Sequence, residues 1–190
     1  MYRNGIKRLL AVILSLCGMI VLSPLLLILC LAIKIDSPGP IFFRQKRVGI
    51  HKQHFNILKF RTMRIDTPHD MPTHLLHDPE QYITRVGRFL RKSSLDELPQ
   101  LINVVRGEMS LVGPRPIVEA EIAKYGEVYA DYCRVRPGIT GLWQVSGRNN
   151  TTYEERVNLD RYYVTNWCIW MDLWILARTF PVVLTGYGAY

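Results

Sequence analysis

A chain of 190 residues has room for one domain with its own core, not two. With 48% hydrophobic and 21% charged residues it is neither disordered nor collagen-like, and 24 Lys and Arg against 16 Asp and Glu leave a formal charge of +8. The partners are therefore anionic, and charge alone does not choose among phosphates, acidic lipid headgroups and nucleic acid. Cys17, Cys30, Cys133 and Cys168 form no C-x-x-C pair, which excludes a disulfide framework and a zinc site and fits a reducing compartment.

From Leu9 to Ile33 there is no charge. As one helix this run would reach about 37 Å, longer than a hydrocarbon core of about 30 Å. It is also too long for the apolar segment of a cleaved signal peptide. Ser23 and Pro24 fall inside it, so a kink is expected there. Basic residues flank both ends: Arg3, Lys7 and Arg8 before, then Lys34, Arg44, Lys46 and Arg47 after. A positive-inside bias at both ends, together with the kink, favours a re-entrant helical hairpin over residues 1–36, the alternative being a kinked single span.

After the turn Ser37-Pro38-Gly39-Pro40, Ile41 to Val48 and Phe55 to Met63 read as strands of a hairpin around Gly49. Arg64 to Gln81 reads as a polar loop, in which His74, His77 and Asp78 make a weak metal candidate. Thr84 to Arg91 and Pro99 to Val105 read as helices, the second stopped by Gly107. Glu119 to Tyr132 is helical, Pro137 to Gly147 a glycine-rich loop, and Tyr153 to Val164 a further helix. In the last helix, counting from Trp167 puts Trp170 and Trp174 on one face and Ile169, Leu173, Leu176 and Phe180 on the other. The second face suits the core and the tryptophan face suits the headgroup level of a bilayer; burial on both sides is the alternative. The expected class is α+β, mostly helical, with an N-terminal re-entrant membrane helix, a short β-hairpin and amphipathic interfacial helices, and with residues 37–190 as the domain at the membrane surface.

Chemistry concentrates in Ser93-Ser94-Leu95-Asp96-Glu97-Leu98-Pro99-Gln100. Ser94 and Glu97 have capping-box spacing and Pro99 suits a first helical position, so Asp96 and Glu97 would stand at a helix start whose amides also favour phosphate. Adjacent carboxylates point in different directions, which suits a division of labour between attack and metal or proton handling. Lys59, Arg61, Arg85, Arg88, Arg91 and Lys92 supply positive charge nearby in sequence. Arg115 lies between Pro114 and Pro116, which fix its backbone, and Arg136 precedes a run of glycines that permits close approach of a ligand.

These segments, with Lys59-Phe60-Arg61-Thr62-Met63, Ser110-Leu111-Val112-Gly113-Pro114-Arg115-Pro116, Arg136-Pro137-Gly138-Ile139-Thr140-Gly141 and the closing Gly188-Ala189-Tyr190, resemble the bacterial sugar transferases of the small monotopic phosphoglycosyl transferase type. The resemblance covers nearly the whole chain, without the extra N-terminal multi-span region of larger members. It implies transfer of a hexose 1-phosphate from a UDP-sugar to undecaprenyl phosphate with Mg²⁺ and release of UMP, on the cytoplasmic face of the bacterial inner membrane. It further implies that Asp96 is the nucleophile of a covalent phosphosugar intermediate and that Asp96 and Glu97 hold the metal. Lys59, Arg88, Arg115 and Arg136 are then candidates for phosphate and nucleotide contacts. Ile117-Val118-Glu119-Ala120-Glu121 and the C-terminal tripeptide lean toward the galactose and glucose branch. The resemblance involves no nucleic acid and is compatible with a homodimer. The competing reading is a membrane-anchored basic module that binds anionic lipid or nucleic acid, which leaves the Asp-Glu pair and the proline-flanked arginine unexplained.

Overall fold

The structure is a computed structural model and describes residues 5–67, 79–147 and 151–185. The apolar N-terminal run forms two helices, α1 (Lys7–Val21) and α2 (Ser23–Asp36), bent by 65° at Leu22. Pro24 sits in the first turn of α2, where its missing N–H is not needed. Ser23 Oγ donates to the Ile20 carbonyl at 2.7 Å across the bend. The expected kink is therefore present. Among the described residues no single helix is long and apolar enough to cross a membrane, and only this bent pair passes that test together. Leu9, Ile13, Leu14, Ile20, Val21, Leu27, Ile28 and Leu31 are exposed on it, while Ala11, Leu29 and Ile33 are buried.

Next come β1 (Phe42–Val48) and β2 (His54–Phe60), antiparallel, with Phe42 opposite Phe60 and Val48 opposite His54. The hairpin turns on His51 and Lys52, both left-handed at φ 56° and 62°, rather than on Gly49, whose φ is −116°. α3 (Arg85–Ser93) is capped by Thr84, whose Oγ1 accepts from the Gly87 N–H at 2.9 Å. α4 (Gln100–Arg106) ends at Gly107, with φ 90°. Phe55 and Ile57 of β2 pack with Ala11 of α1 and Val104 of α4; Phe60 packs with Leu29, Ile33 and Leu90.

The glycine-rich stretch does more than loop. β3 (Ser110–Val112) pairs in parallel with β4 (Gly138–Thr140), and a Cβ on Gly138 would fall 2.1 Å from the Gly113 nitrogen, so only glycine admits this approach. The expected long helix over Glu119 to Tyr132 is a 3₁₀ turn followed by α5 (Ile122–Tyr125) and α6 (Val128–Tyr132), interrupted at Gly126 with φ 49°. The chain continues as α7 (Leu142–Ser146), α8 (Tyr153–Asn166) and α9 (Ile169–Thr185).

The facial assignment of the last helix is corrected. Trp167 is not part of α9: it ends α8 in an extended conformation, with ψ 137°. An angle counted from it therefore has no meaning along α9. Trp167 is buried against Val112, Leu142, Tyr163 and Ile175. The inward face of α9 carries Asp172 and Ile175, with Met171 and Leu176 packed beside them; Leu173 and Phe180 face outward together with Trp170 and Trp174. Asp172 forms an ion pair of 2.9 Å with Lys7, whose ammonium lies 4.3 Å from the Trp167 ring centre, joining the start of α1 to α9. The mostly helical α+β class stands, with two small two-stranded sheets.

Candidate active site

Asp96 and Glu97 lie on a 3₁₀ turn, Leu95–Glu97, between α3 and α4. The capping box expected from Ser94 is not formed: Ser94 closes α3 in the left-handed region, at φ 56°, and makes no side-chain cap bond. The Leu98, Leu101 and Ile102 amides bond back to the Leu95, Leu98 and Pro99 carbonyls at 3.2, 3.1 and 3.0 Å. The turn thus runs straight into the short α4, with Pro99 as its N-cap, and those amides are not offered to a phosphate. Side-chain cations supply the positive field instead.

Lys59, projecting from β2, donates to Glu97 Oε1 at 2.7 Å, and Arg115 approaches the same oxygen at 3.8 Å. Arg91, the penultimate basic residue of α3, donates through Nε to Thr62 Oγ1 at 3.0 Å, which holds its guanidinium within electrostatic reach of Asp96. Desolvation pushes the Asp96 carboxyl up to about 6; Glu97 adds to the rise, while Lys59, Arg91 and Arg115 oppose it. At neutral pH it remains mostly ionised, a desolvated carboxylate among three cations. That is the environment of a nucleophile or a metal ligand rather than of a solvated surface acid.

An open cleft of about 230 Å³, including its mouth, adjoins this pair; its polar lining is Arg47, Lys59, Glu97, Gln100, Arg115 and Gln144. The structure brings Lys59, Glu97 and Arg115 together here, with Asp96 next to them on the turn. Arg88 lies elsewhere, exposed on α3 and 3.4 Å from Glu80. Arg136 is also outside the lining: its Nε donates to the Gly107 carbonyl at 2.8 Å, where the left-handed end of α4 leaves an acceptor. Arg47, Gln100 and Gln144 were not singled out from the sequence. In the sequence Arg47 is one of several basic flanking residues and Gln100 and Gln144 lie within longer motifs, although a glutamine inside an apolar pattern is itself a signal.

Among the described residues no group of three or more His, Cys, Asp and Glu side chains converges on a metal position. Asp96 and Glu97 are the available carboxylates, and two carboxylates completed by substrate phosphate oxygens suit Mg²⁺, which seldom takes an all-protein cage. The His74, His77 and Asp78 candidate lies outside the described residues.

Comparison with known proteins places these features. The model of the family described as "Bacterial sugar transferase" matches residues 2–186. An undecaprenyl-phosphate galactose phosphotransferase of Salmonella typhimurium is 43% identical over 97% of this chain and 42% of its own length. A UDP-glucose:undecaprenyl-phosphate glucose-1-phosphate transferase of Caulobacter vibrioides is 45% identical over 97% of this chain and 72% of its length. The exopolysaccharide production protein ExoY of Sinorhizobium fredii is 42% identical over 97% of this chain and 88% of its length. The chain thus spans about two fifths of some relatives and most of others. With the family match running through the helix pair, the Asp96–Glu97 turn and the Arg115 cleft, the chain belongs to the bacterial sugar transferase family.

Proposed function

We propose that this protein transfers a hexose 1-phosphate, of galactose or glucose, from a UDP-sugar to undecaprenyl phosphate and releases UMP, an early step of bacterial surface polysaccharide assembly. The observation that carries the reading is the Asp96 carboxyl, desolvated yet ringed by Lys59, Arg91 and Arg115 at the edge of a cationic cleft. In the first half, an Asp96 carboxylate oxygen attacks the sugar-bearing phosphorus. An oxygen–phosphorus bond forms to Asp96, the bridging phosphorus–oxygen bond breaks, and UMP departs with the bridging oxygen. In the second half, a phosphate oxygen of the lipid attacks the same phosphorus and the aspartyl bond breaks, which restores the carboxylate. Neither half needs a base, because the attacking oxygens are already anionic and the leaving phosphate is a stable anion. Lys59 orients Glu97 by its 2.7 Å bond, and Arg115 meets charge on the transferring group. Mg²⁺, held by Asp96 and Glu97 with the diphosphate oxygens, would neutralise charge on the phosphoryl group.

The membrane reading rests on the bent α1–α2 pair and its exposed apolar side chains, continued by Trp170, Leu173, Trp174 and Phe180 on α9. The pair dips into the cytoplasmic leaflet of the inner membrane and returns, which holds the cleft at headgroup height, where a lipid phosphate resides. Incubation with a panel of labelled UDP-sugars, without lipid, tests the mechanism. UMP release with label trapped on the protein is expected. UMP appearing only when polyprenyl phosphate is present, with no trapped label, would favour direct transfer and demote Asp96 to a metal ligand.

A further inference from the structure

At the cleft lies a cationic cluster of which the two-step reaction at Asp96 uses only Arg115. Arg47 and Arg115 line the cleft, and the guanidinium carbons of Arg115 and Arg156 lie 5.7 and 4.8 Å from the Trp143 ring centre. Arg156, on α8, is only 8% exposed. Its Nε and Nη2, and the Nε of Arg47, find no hydrogen-bond acceptor among the described residues. The nearest carboxylate, Glu121, serves both arginines from 3.4 Å and 3.8 Å, and its Oε2 already accepts the Val118 N–H at 2.9 Å. Burial and the neighbouring Arg115 and Arg156 push the Arg47 guanidinium down to about 10, so it stays charged at neutral pH in like-charged company. The Arg47 Nη1 and Nη2 donate to the Pro116 carbonyl and to Gln45 Oε1 at 2.9 and 2.6 Å, so its Nε and the two Arg156 nitrogens are the buried donors left over, and a ligand that brings several anionic oxygens would satisfy them.

We propose that Arg47, Arg115 and Arg156 form a second phosphate subsite that holds the phosphate departing with the nucleotide, beside the Asp96–Glu97 centre that acts on the phosphate being transferred. This rests on the reading of the donor as a nucleoside diphosphate sugar. Arg115 joins the two subsites, facing Glu97 on one side and the Trp143 ring on the other.

The test measures UMP binding to the purified full-length protein by calorimetry, and by the rise in melting temperature that UMP produces, for the wild type, Arg47→Gln, Arg156→Gln and Arg156→Lys. The glutamine variants should bind UMP at least 10-fold more weakly and lose most of the UMP-induced rise, with the KM for polyprenyl phosphate unchanged; Arg156→Lys should recover part of the affinity. The ligand-induced rise is read relative to each variant's own baseline, so a lowered baseline does not obscure it. UMP affinity within twofold of wild type in both glutamine variants would overturn the subsite, as would an equal rise in both substrates' KM. The two readings fail separately. UMP bound through Arg156 by a wild type that turns over no UDP-sugar would keep the subsite and sink the transferase, whereas turnover with unchanged UMP affinity in the variants would do the reverse.

Discussion

Replacing Asp96 by Asn should abolish transfer and, above pH 6, make the protein more stable. The carboxyl rises from 3.8 to about 6 because ionising it on the Leu95–Glu97 turn means holding a charge away from water. That rise corresponds to about 3 kcal/mol at about 1.4 kcal/mol per tenfold, and partial exposure of the group reduces it to about 1–2 kcal/mol. Asparagine keeps the shape and carries no charge to desolvate. The sign follows from linkage: a carboxyl raised in the folded state contributes stability below pH 3.8, and that contribution is lost as pH rises through about 6. The gap between variant and wild type should therefore be absent near pH 4 and full by pH 7.5. For a chain of this size it amounts to a rise in melting temperature of about 2–8 °C. Thermal unfolding in detergent across pH 4–8, beside the transfer assay, measures both effects. An Asn variant that melts lower than wild type at pH 7.5 would show that the ionised carboxylate is stabilised by Lys59, Arg91 and Arg115 rather than strained, and the reasoning from desolvation would fail.

Three further outcomes are expected. The rate at limiting UDP-sugar should fall about tenfold per pH unit below about pH 6, as Asp96 takes up a proton; a profile flat down to pH 5 would exclude its carboxylate as the attacking group. Single cysteines at Gly5 and Ile35 in a cysteine-free background should both react with a cytoplasmic reagent, whereas Pro24→Ala should straighten the helix pair and move one of them across; opposite sides in the unaltered sequence would refute the re-entrant reading. Trp170→Ala with Trp174→Ala should loosen membrane binding without lowering the melting temperature, while Trp167→Ala should cost about 3–5 kcal/mol of stability, as a buried ring does; early melting of the double variant would place those rings in packing.

How much was legible follows from where each signal resides. The helix break at Ser23-Pro24, the β1–β2 hairpin and the α3–α4 boundaries depend on local chemistry: a missing proline donor, aromatic and β-branched residues, a Thr84 cap and a left-handed Gly107. The Asp96-Glu97 pair and the proline-flanked Arg115 were legible because adjacent charges and fixed backbones are themselves sequence patterns. The β3–β4 pair was not: its three-residue strands lie 25 residues apart, and what joins them is the close approach of Gly113 and Gly138, which no local window contains. The failed capping box has a local origin: Ser94 directly follows α3 and closes it in the left-handed region, so it cannot also cap the turn that carries Asp96 and Glu97.

By itself, the sequence determined the apolar bent N-terminus, the helical and hairpin elements, the basic balance and the acidic pair at the chemical centre, because these depend on composition and on neighbours within a few residues. Only the tertiary structure decided which of many arginines serve the cleft. It sets Arg47 and Arg115 in the cleft lining, lays Arg115 and Arg156 over one tryptophan ring, and sends Arg88 and Arg136 to Glu80 and the end of α4, because side chains from separate elements converge only when the core packs. It also raised the carboxyl of Asp96, since desolvation is a property of the surroundings and not of the residue.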